Sequence, residues 1–175
     1  MKHYNHITLI GNTNTGKSSF VKRLLGNNLL NNYDDQHMIE FIEFSQYDDV
    51  SRNTFITYFY DIPGYNGSMA FHYLEKTECV MIFCDYSKLD TLESAIDWLN
   101  FINKNILCYL VVTKIDLEED GGFNEEFNEF NELLEKNCDR FKEIFKLSLK
   151  NTQLNKISLQ DIMLLINNDI LNNRN

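Results

Sequence analysis

With 175 residues, 43% apolar and 24% charged, the chain has an ordinary globular composition and can bury a core without a disulfide or metal staple, so it is read as one domain spanning residues 1–175. The formal net charge of −10 argues against a nucleic-acid partner, because gripping a phosphate backbone takes a basic face. A single nucleotide stays compatible, since one site needs only a few donors and a cation.

Short apolar runs alternate with helix-period segments along the chain. His6 to Ile10 predicts a strand that leads straight into a glycine-bounded loop. Lys17 to Leu25 predicts a helix, with Phe20–Leu24 and Val21–Leu25 as i,i+4 pairs and Gly26 as its stop. Met38 to Tyr47 and Thr54 to Tyr60 predict the two strands of a hairpin around the polar turn Asp48 to Asn53. Cys79 to Asp85 predicts a buried strand. Thr91 to Ile102 predicts a helix with Leu92, Ala95, Ile96, Leu99 and Ile102 on one face, and Asn105 to Thr113 predicts another buried strand. Glu118 to Gly122 reads as a loop. Phe127, Phe130, Leu134 and Phe141 mark one helix face, Ile144 to Ser148 a short last strand, and Leu159, Ile162, Met163, Ile166 and Ile170 a closing helix. The alternation predicts a three-layer αβα fold around a six-stranded, mostly parallel sheet with one antiparallel edge strand. Ligands of such folds sit at the carboxyl ends of the strands.

Cys79, Cys84, Cys108 and Cys138 show no metal-ligand spacing, and the first three lie in apolar runs. They read as free, reduced core thiols of a cytosolic protein. The opening residues carry no apolar signal core, and no run is long enough to span a bilayer. Lys2 excludes amino-terminal myristoylation and Asn172 to Asn175 offer no cysteine to prenylate, so no intrinsic lipid anchor is expected. A cytoplasmic monomer is the expectation.

Gly11-Asn12-Thr13-Asn14-Thr15-Gly16-Lys17-Ser18 fits G-x-x-x-x-G-K-[ST], between a predicted strand and a predicted helix. Backbone N–H groups wrap phosphate oxygens there, at a helix N-terminus whose dipole favours anions. Lys17 adds a cation for the outer phosphates, and Ser18 offers its hydroxyl to Mg²⁺. Alone, the motif does not separate ATP from GTP. Asp61-Ile62-Pro63-Gly64 follows the predicted strand Thr54 to Tyr60. An aspartate in that place holds Mg²⁺ through water, and a glycine N–H reaches a γ-phosphate. In isolation a Pro-Gly dipeptide is only a turn signal.

Thr113-Lys114-Ile115-Asp116 ends another strand. A carboxylate there accepts two hydrogen bonds from the N1–H and 2-amino group of guanine. Adenine has no 2-amino group and an acceptor at N1, so it would leave Asp116 unpaired, a mismatch able to discriminate by orders of magnitude. The aliphatic stem of Lys114 can lie over the base. In Ser148-Leu149-Lys150, after the last strand, the Leu149 N–H is placed to meet guanine O6. Taken singly, Lys114 with Asp116 would be an ordinary surface ion pair and Ser148 to Lys150 an ordinary polar loop. Four motifs in this order, each at a strand end, are hard to obtain by accident.

These motifs resemble those of the Ras-like small GTPase superfamily over nearly the whole chain. Cys79 to Ser87 followed by Leu92 to Leu99 is similar to the fourth strand and third helix of Rab-type members, and Tyr60 before Asp61 fits that branch. The resemblance implies a P-loop NTPase fold binding GTP or GDP with Mg²⁺. It assigns nucleotide contacts to Gly11, Asn14, Thr15, Gly16, Lys17, Ser18, Ser19, Gly64, Thr113, Lys114, Asp116, Ser148, Leu149 and Lys150. Leu29 stands where the family often places an aromatic against the base, and Tyr33-Asp34 where its first switch carries a similar pair.

Three positions depart from the pattern. Thr113 stands where asparagine is usual, which alters one base-side hydrogen bond. Gln36 occupies the place of the switch threonine that binds Mg²⁺ and γ-phosphate. Tyr65 replaces the glutamine that positions the attacking water, so Lys17 and Tyr65 form the catalytic set with hydrolysis expected to be slow. Asn14, Pro63 and the non-glutamine after Gly64 are also similar to the Era and TrmE type of GTPase, in some of which an asparagine at this loop position helps bind K⁺. A plainer account of Asn14 is tolerance of left-handed backbone.

His37 and His72 read as solvated side chains near the switches and Trp98 as packing. Three functions compete. One is a switch whose partners read segments near 33–40 and 64–76; another is a module locked in one nucleotide state. The third, an ATP-using P-loop kinase, leaves Thr113 to Asp116 unexplained.

Overall fold

Cys79, Met81 and Phe83 turn to one side of a central strand, and Val80, Ile82 and Cys84 to the other. This period of two, with every residue of the strand buried, requires a layer of helices on each face. The computed structural model describes residues 1–26, 39–64, 67–117 and 125–174. Their strands are β1 (Lys2–Gly11), β2 (Glu40–Asp48), β3 (Asn53–Asp61), β4 (Cys79–Asp85), β5 (Leu107–Thr113) and β6 (Glu143–Leu147). The helices are α1 (Lys17–Leu24), α2 (Gly67–Leu74), α3 (Leu89–Trp98), α4 (Glu125–Asn137) and α5 (Leu159–Asn173).

The six-stranded sheet runs β2-β3-β1-β4-β5-β6. Only the β2–β3 pair is antiparallel, and β2 is an edge, as the hairpin reading required. Side chains of α1 and α5 fill the core on one face, through Phe20, Val21, Leu24, Ile162, Met163 and Ile166. Those of α2, α3 and α4 fill the other, through Ala70, Leu74, Leu92, Ala95, Phe130 and Leu134. One polar cluster interrupts the α5 face. Asn5 Nδ2 and the Thr57 hydroxyl both donate to Asn167 Oδ1, at 2.7 and 2.9 Å, and all three residues are fully buried.

Several boundaries move for identifiable reasons. β1 starts at Lys2, because its first half pairs only with β3, Ile7 to Leu9 pair with both neighbours, and Ile10 and Gly11 pair only with β4; the apolar run marks only the half that reaches β4. Leu25 does not share the buried face of α1. It closes the helix and is 43% exposed. α3 begins and ends earlier than the periodicity suggests. Past Trp98, the amides of Leu99, Asn100 and Phe101 bond to carbonyls three residues back, and this tighter winding still delivers Ile102 to the core. Phe141 is not on α4 either. A short 3₁₀ turn, Cys138–Arg140, separates it from the helix, and Phe141 enters the same core from extended backbone. The apolar spacing thus tracks the core across a break in the helix. The loop expected at Glu118 to Gly122 lies outside the described residues.

Candidate nucleotide site

The strands β1, β3, β4, β5 and β6 all run parallel, so their carboxyl ends share one edge of the sheet. Every described motif residue lies on that edge. β1 ends at Gly11 (φ 139°), where any β-carbon would collide with the Phe83 carbonyl of β4. The loop then takes left-handed backbone at Asn14 (φ 63°) and at Gly16 (φ 95°), the residue before α1. Left-handed residues alternating along a loop turn successive N–H groups into one concavity, an anion nest. No side chain caps α1, so its first amides keep their donors for an anion.

Lys17 is 6% exposed, and its Nζ donates to the carbonyls of Gly11 and Asn12, each at 2.9 Å. Those bonds use two of the ammonium's three donors and leave one for a phosphate oxygen. Burial pulls this ammonium from 10.5 down to about 8, while the Asp61 carboxylate works in the opposite direction. The Thr15 hydroxyl donates to the Asn12 carbonyl at 2.8 Å, and Asn12 Nδ2 reaches Ser94 of α3 at 3.2 Å, so the loop is braced from inside and outside. Ser19 is half-buried in the first turn of α1.

The Ser18 hydroxyl donates to Asp61 Oδ2 at 2.5 Å. Asp61 is fully buried, and its Oδ1 has no hydrogen-bond partner among the described residues. Burial raises the pKa of this carboxyl, against the pull of the Ser18 hydrogen bond and of Lys17. A buried carboxylate with one orphaned oxygen, beside a hydroxyl, fits Mg²⁺, which binds through one or two carboxylates and completes its shell with water and substrate phosphates. Gly64 lies against the backbone of Asn12 and Thr13, where a β-carbon would not fit. Gln36, Tyr65 and Leu29 lie outside the described residues.

The base-side residues converge on the same loop. Thr113 is 1% exposed, and its hydroxyl reaches the Thr15 carbonyl at 2.8 Å and the Cys84 carbonyl at 3.1 Å. It ties the phosphate loop to β4 and β5. Lys114 has left-handed backbone (φ 62°), and its Nζ pairs with Asp85 at 2.6 Å rather than with Asp116. The pair Lys114–Asp116 is therefore not the simple surface ion pair. Asp116 is half-buried and, among the described residues, has no hydrogen-bond or ion-pair partner. A β-carbon on Gly16 would lie 3.2 Å from Leu149 Cδ1 and 3.3 Å from Thr113 Cγ2, so the phosphate loop, the end of β5 and the Ser148 to Lys150 loop meet in space.

Sequence reasoning missed several supports. Asp85 holds Lys114 and also accepts from the backbone and hydroxyl of Ser87, at 3.0 and 2.7 Å. An acidic residue closing a buried strand on the ligand edge was the available signal. Arg23 and Asn155, which bond the backbone around Ser148 to Lys150, gave none, being polar residues in no periodic pattern. Among the described residues no helix is long and apolar enough to cross a membrane.

A comparison with curated proteins returns no significant match. A family model described as Roc, Ras of Complex, domain of DAPkinase, matches residues 6–116, from β1 through the phosphate loop to Asp116. That span is more than half of the 175 residues and carries three of the four motifs, so the chain belongs to the Roc family of Ras-like GTPase domains.

Proposed function

We propose that the chain is a guanine-nucleotide switch with slow intrinsic GTP hydrolysis. The observation that carries this reading is Asp116, a half-buried carboxylate without a partner among the described residues, on the turn after a strand that Thr113 ties to the phosphate loop. Base and phosphates of one nucleotide then span from Asp116 to Lys17. Backbone amides around Gly16 and the ammonium of Lys17 grip and orient the phosphates. Ser18 and Asp61 would hold Mg²⁺, which neutralises charge on the outer phosphates when bound. The phenol of Tyr65 is bulkier than the usual glutamine amide and cannot donate and accept as that amide does, so turnover is expected no faster than that of unassisted Ras, on the order of 10⁻⁴ s⁻¹.

Partners would read segments near 33–40 and 64–76. Phe41, Tyr60 and Tyr73 support this: their rings lie 5.2 to 5.8 Å apart and form one aromatic patch that includes Tyr73 of the second segment and Phe41, next in sequence to the first, with Phe41 65% exposed.

A second reading is a module locked in one nucleotide state. The contact of Gly64 with Asn12 and Thr13 favours it, because the glycine whose N–H would sense a terminal phosphate lies against the backbone of that loop. Acid extraction followed by chromatography identifies the co-purifying nucleotide, and single-turnover hydrolysis separates the readings. A slow but measurable rate is expected; no turnover would leave the locked module. Asn14 takes left-handed backbone, which asparagine tolerates without a cation. A rate unchanged between Na⁺ and K⁺ buffers would remove the K⁺ role suggested for it.

A further inference from the structure

Side chains, rather than the sheet, shape the loop after β6. The β5–β6 ladder ends at Leu147, and β6 is an edge strand. Ser148 is fully buried yet has no strand beside it. Asn155 takes the place of one. Its Oδ1 accepts from the Ser148 N–H at 2.7 Å and its Nδ2 donates to the Ser148 carbonyl at 3.1 Å. Arg23, on α1, holds the next two carbonyls: Nε donates to Leu149 at 3.2 Å and Nη2 to Lys150 at 3.4 Å.

A trans peptide is flat, so a carbonyl and the N–H that follows it point in opposite directions. Fixing the Ser148 carbonyl on Asn155 turns the Leu149 N–H away from Asn155. Fixing the Leu149 carbonyl on Arg23 turns the Lys150 N–H away from Arg23. Among the described residues neither amide has an acceptor, although the Leu149 side chain is buried and lies beside Gly16 of the phosphate loop. Two successive donors held without an acceptor at a ligand-facing edge define a place for an acceptor oxygen.

We propose that Asn155 and Arg23 are positioning residues for base recognition, locking two peptide planes so that the N–H groups of Leu149 and Lys150 meet O6 of guanine. The proposal rests on the guanine-nucleotide reading above. Adenine carries an amino donor in place of O6, and two immobilised N–H donors reject it. Asp116 checks the N1 and 2-amino side of the ring; this loop checks the O6 side. Neither Asn155 nor Arg23 touches the ligand.

The test compares dissociation constants of GDP, ADP and 6-thio-GDP. The thione is a weaker acceptor than O6, while the N1–H and 2-amino group remain for Asp116. Wild-type protein is expected to prefer GDP over both. Asn155→Ala is expected to weaken GDP about tenfold and 6-thio-GDP much less, so that the ratio between them collapses. Arg23→Ala acts on the other peptide plane, lowers the same ratio, and stands in if Asn155→Ala does not fold. Equal weakening of GDP and 6-thio-GDP in both variants, or no change in either, would mean that the two side chains only stabilise a loop. Wild-type protein that prefers GDP over ADP but binds 6-thio-GDP as tightly as GDP also overturns the proposal and leaves the role of Asp116 standing. Absence of any GDP preference over ADP would instead bring down the guanine reading itself.

Discussion

On the proposed reading, Asp116 would select the base through what its two oxygens can accept. Replacing it with asparagine exchanges one acceptor for a donor, which suits the 2-oxo group of xanthine. Asp116→Asn is therefore expected to weaken GDP by about 10²-fold and to strengthen xanthosine diphosphate, as read by competition against a fluorescent nucleotide. An unchanged order of preference would mean that this carboxylate does not face the base. On the same reading, Asp61 would act at the opposite end of the ligand. Its orphaned oxygen is the strongest sign of a cation between Ser18 and the phosphates. Chelating Mg²⁺ is expected to speed GDP release from wild-type protein several-fold and to change little in Asp61→Asn, where the charge is already gone. Equal responses of the two proteins would place the cation elsewhere. Both residues were legible in the sequence because each stands in a motif at the carboxyl end of a strand, Asp61 as the last residue of β3 and Asp116 on the turn after β5. The role of Thr113 was only half legible: the substitution of the usual asparagine was visible, but its hydroxyl tie to the Thr15 carbonyl depends on a distance no sequence pattern encodes.

Among the elements, periodicity located every described strand and helix core but α2, and it failed where a polar group or a tightened turn took over. Apolar spacing carried the reading past the ends of α3 and α4, because Ile102 and Phe141 stay in the core after the helical winding stops. The cluster of Asn5, Thr57 and Asn167 was invisible for the opposite reason, since asparagine in a strand and in a helix reads as exposed. It joins β1, β3 and α5 through two hydrogen bonds to one shared acceptor. Asn167→Ala removes the shared acceptor and strands two buried donors. A loss of about 2 to 3 kcal/mol in urea unfolding is expected, with the slope of the transition unchanged. A loss below about 0.5 kcal/mol would show that water replaces the amide.

For the molecule as a whole, the alternation of strands and helices made the layered sheet readable, and the parallel order gathered the motifs on one edge. A ligand bridging that edge from β1 to β6 binds only the folded chain. GDP with Mg²⁺ at 100 times its dissociation constant is expected to add about 2.7 kcal/mol to stability, seen as a rise in Tm that ADP does not produce. A rise of equal size with ADP would deny base selection. The Thr113 hydroxyl gives this coupling a mechanical side. One buried hydroxyl rivets the strand before Asp116 to the phosphate loop, so on the proposed reading a slackening of one grip would be felt at the other. A factor that prised open one end of a bound nucleotide would then be expected to loosen the other, so leverage at one point could serve exchange.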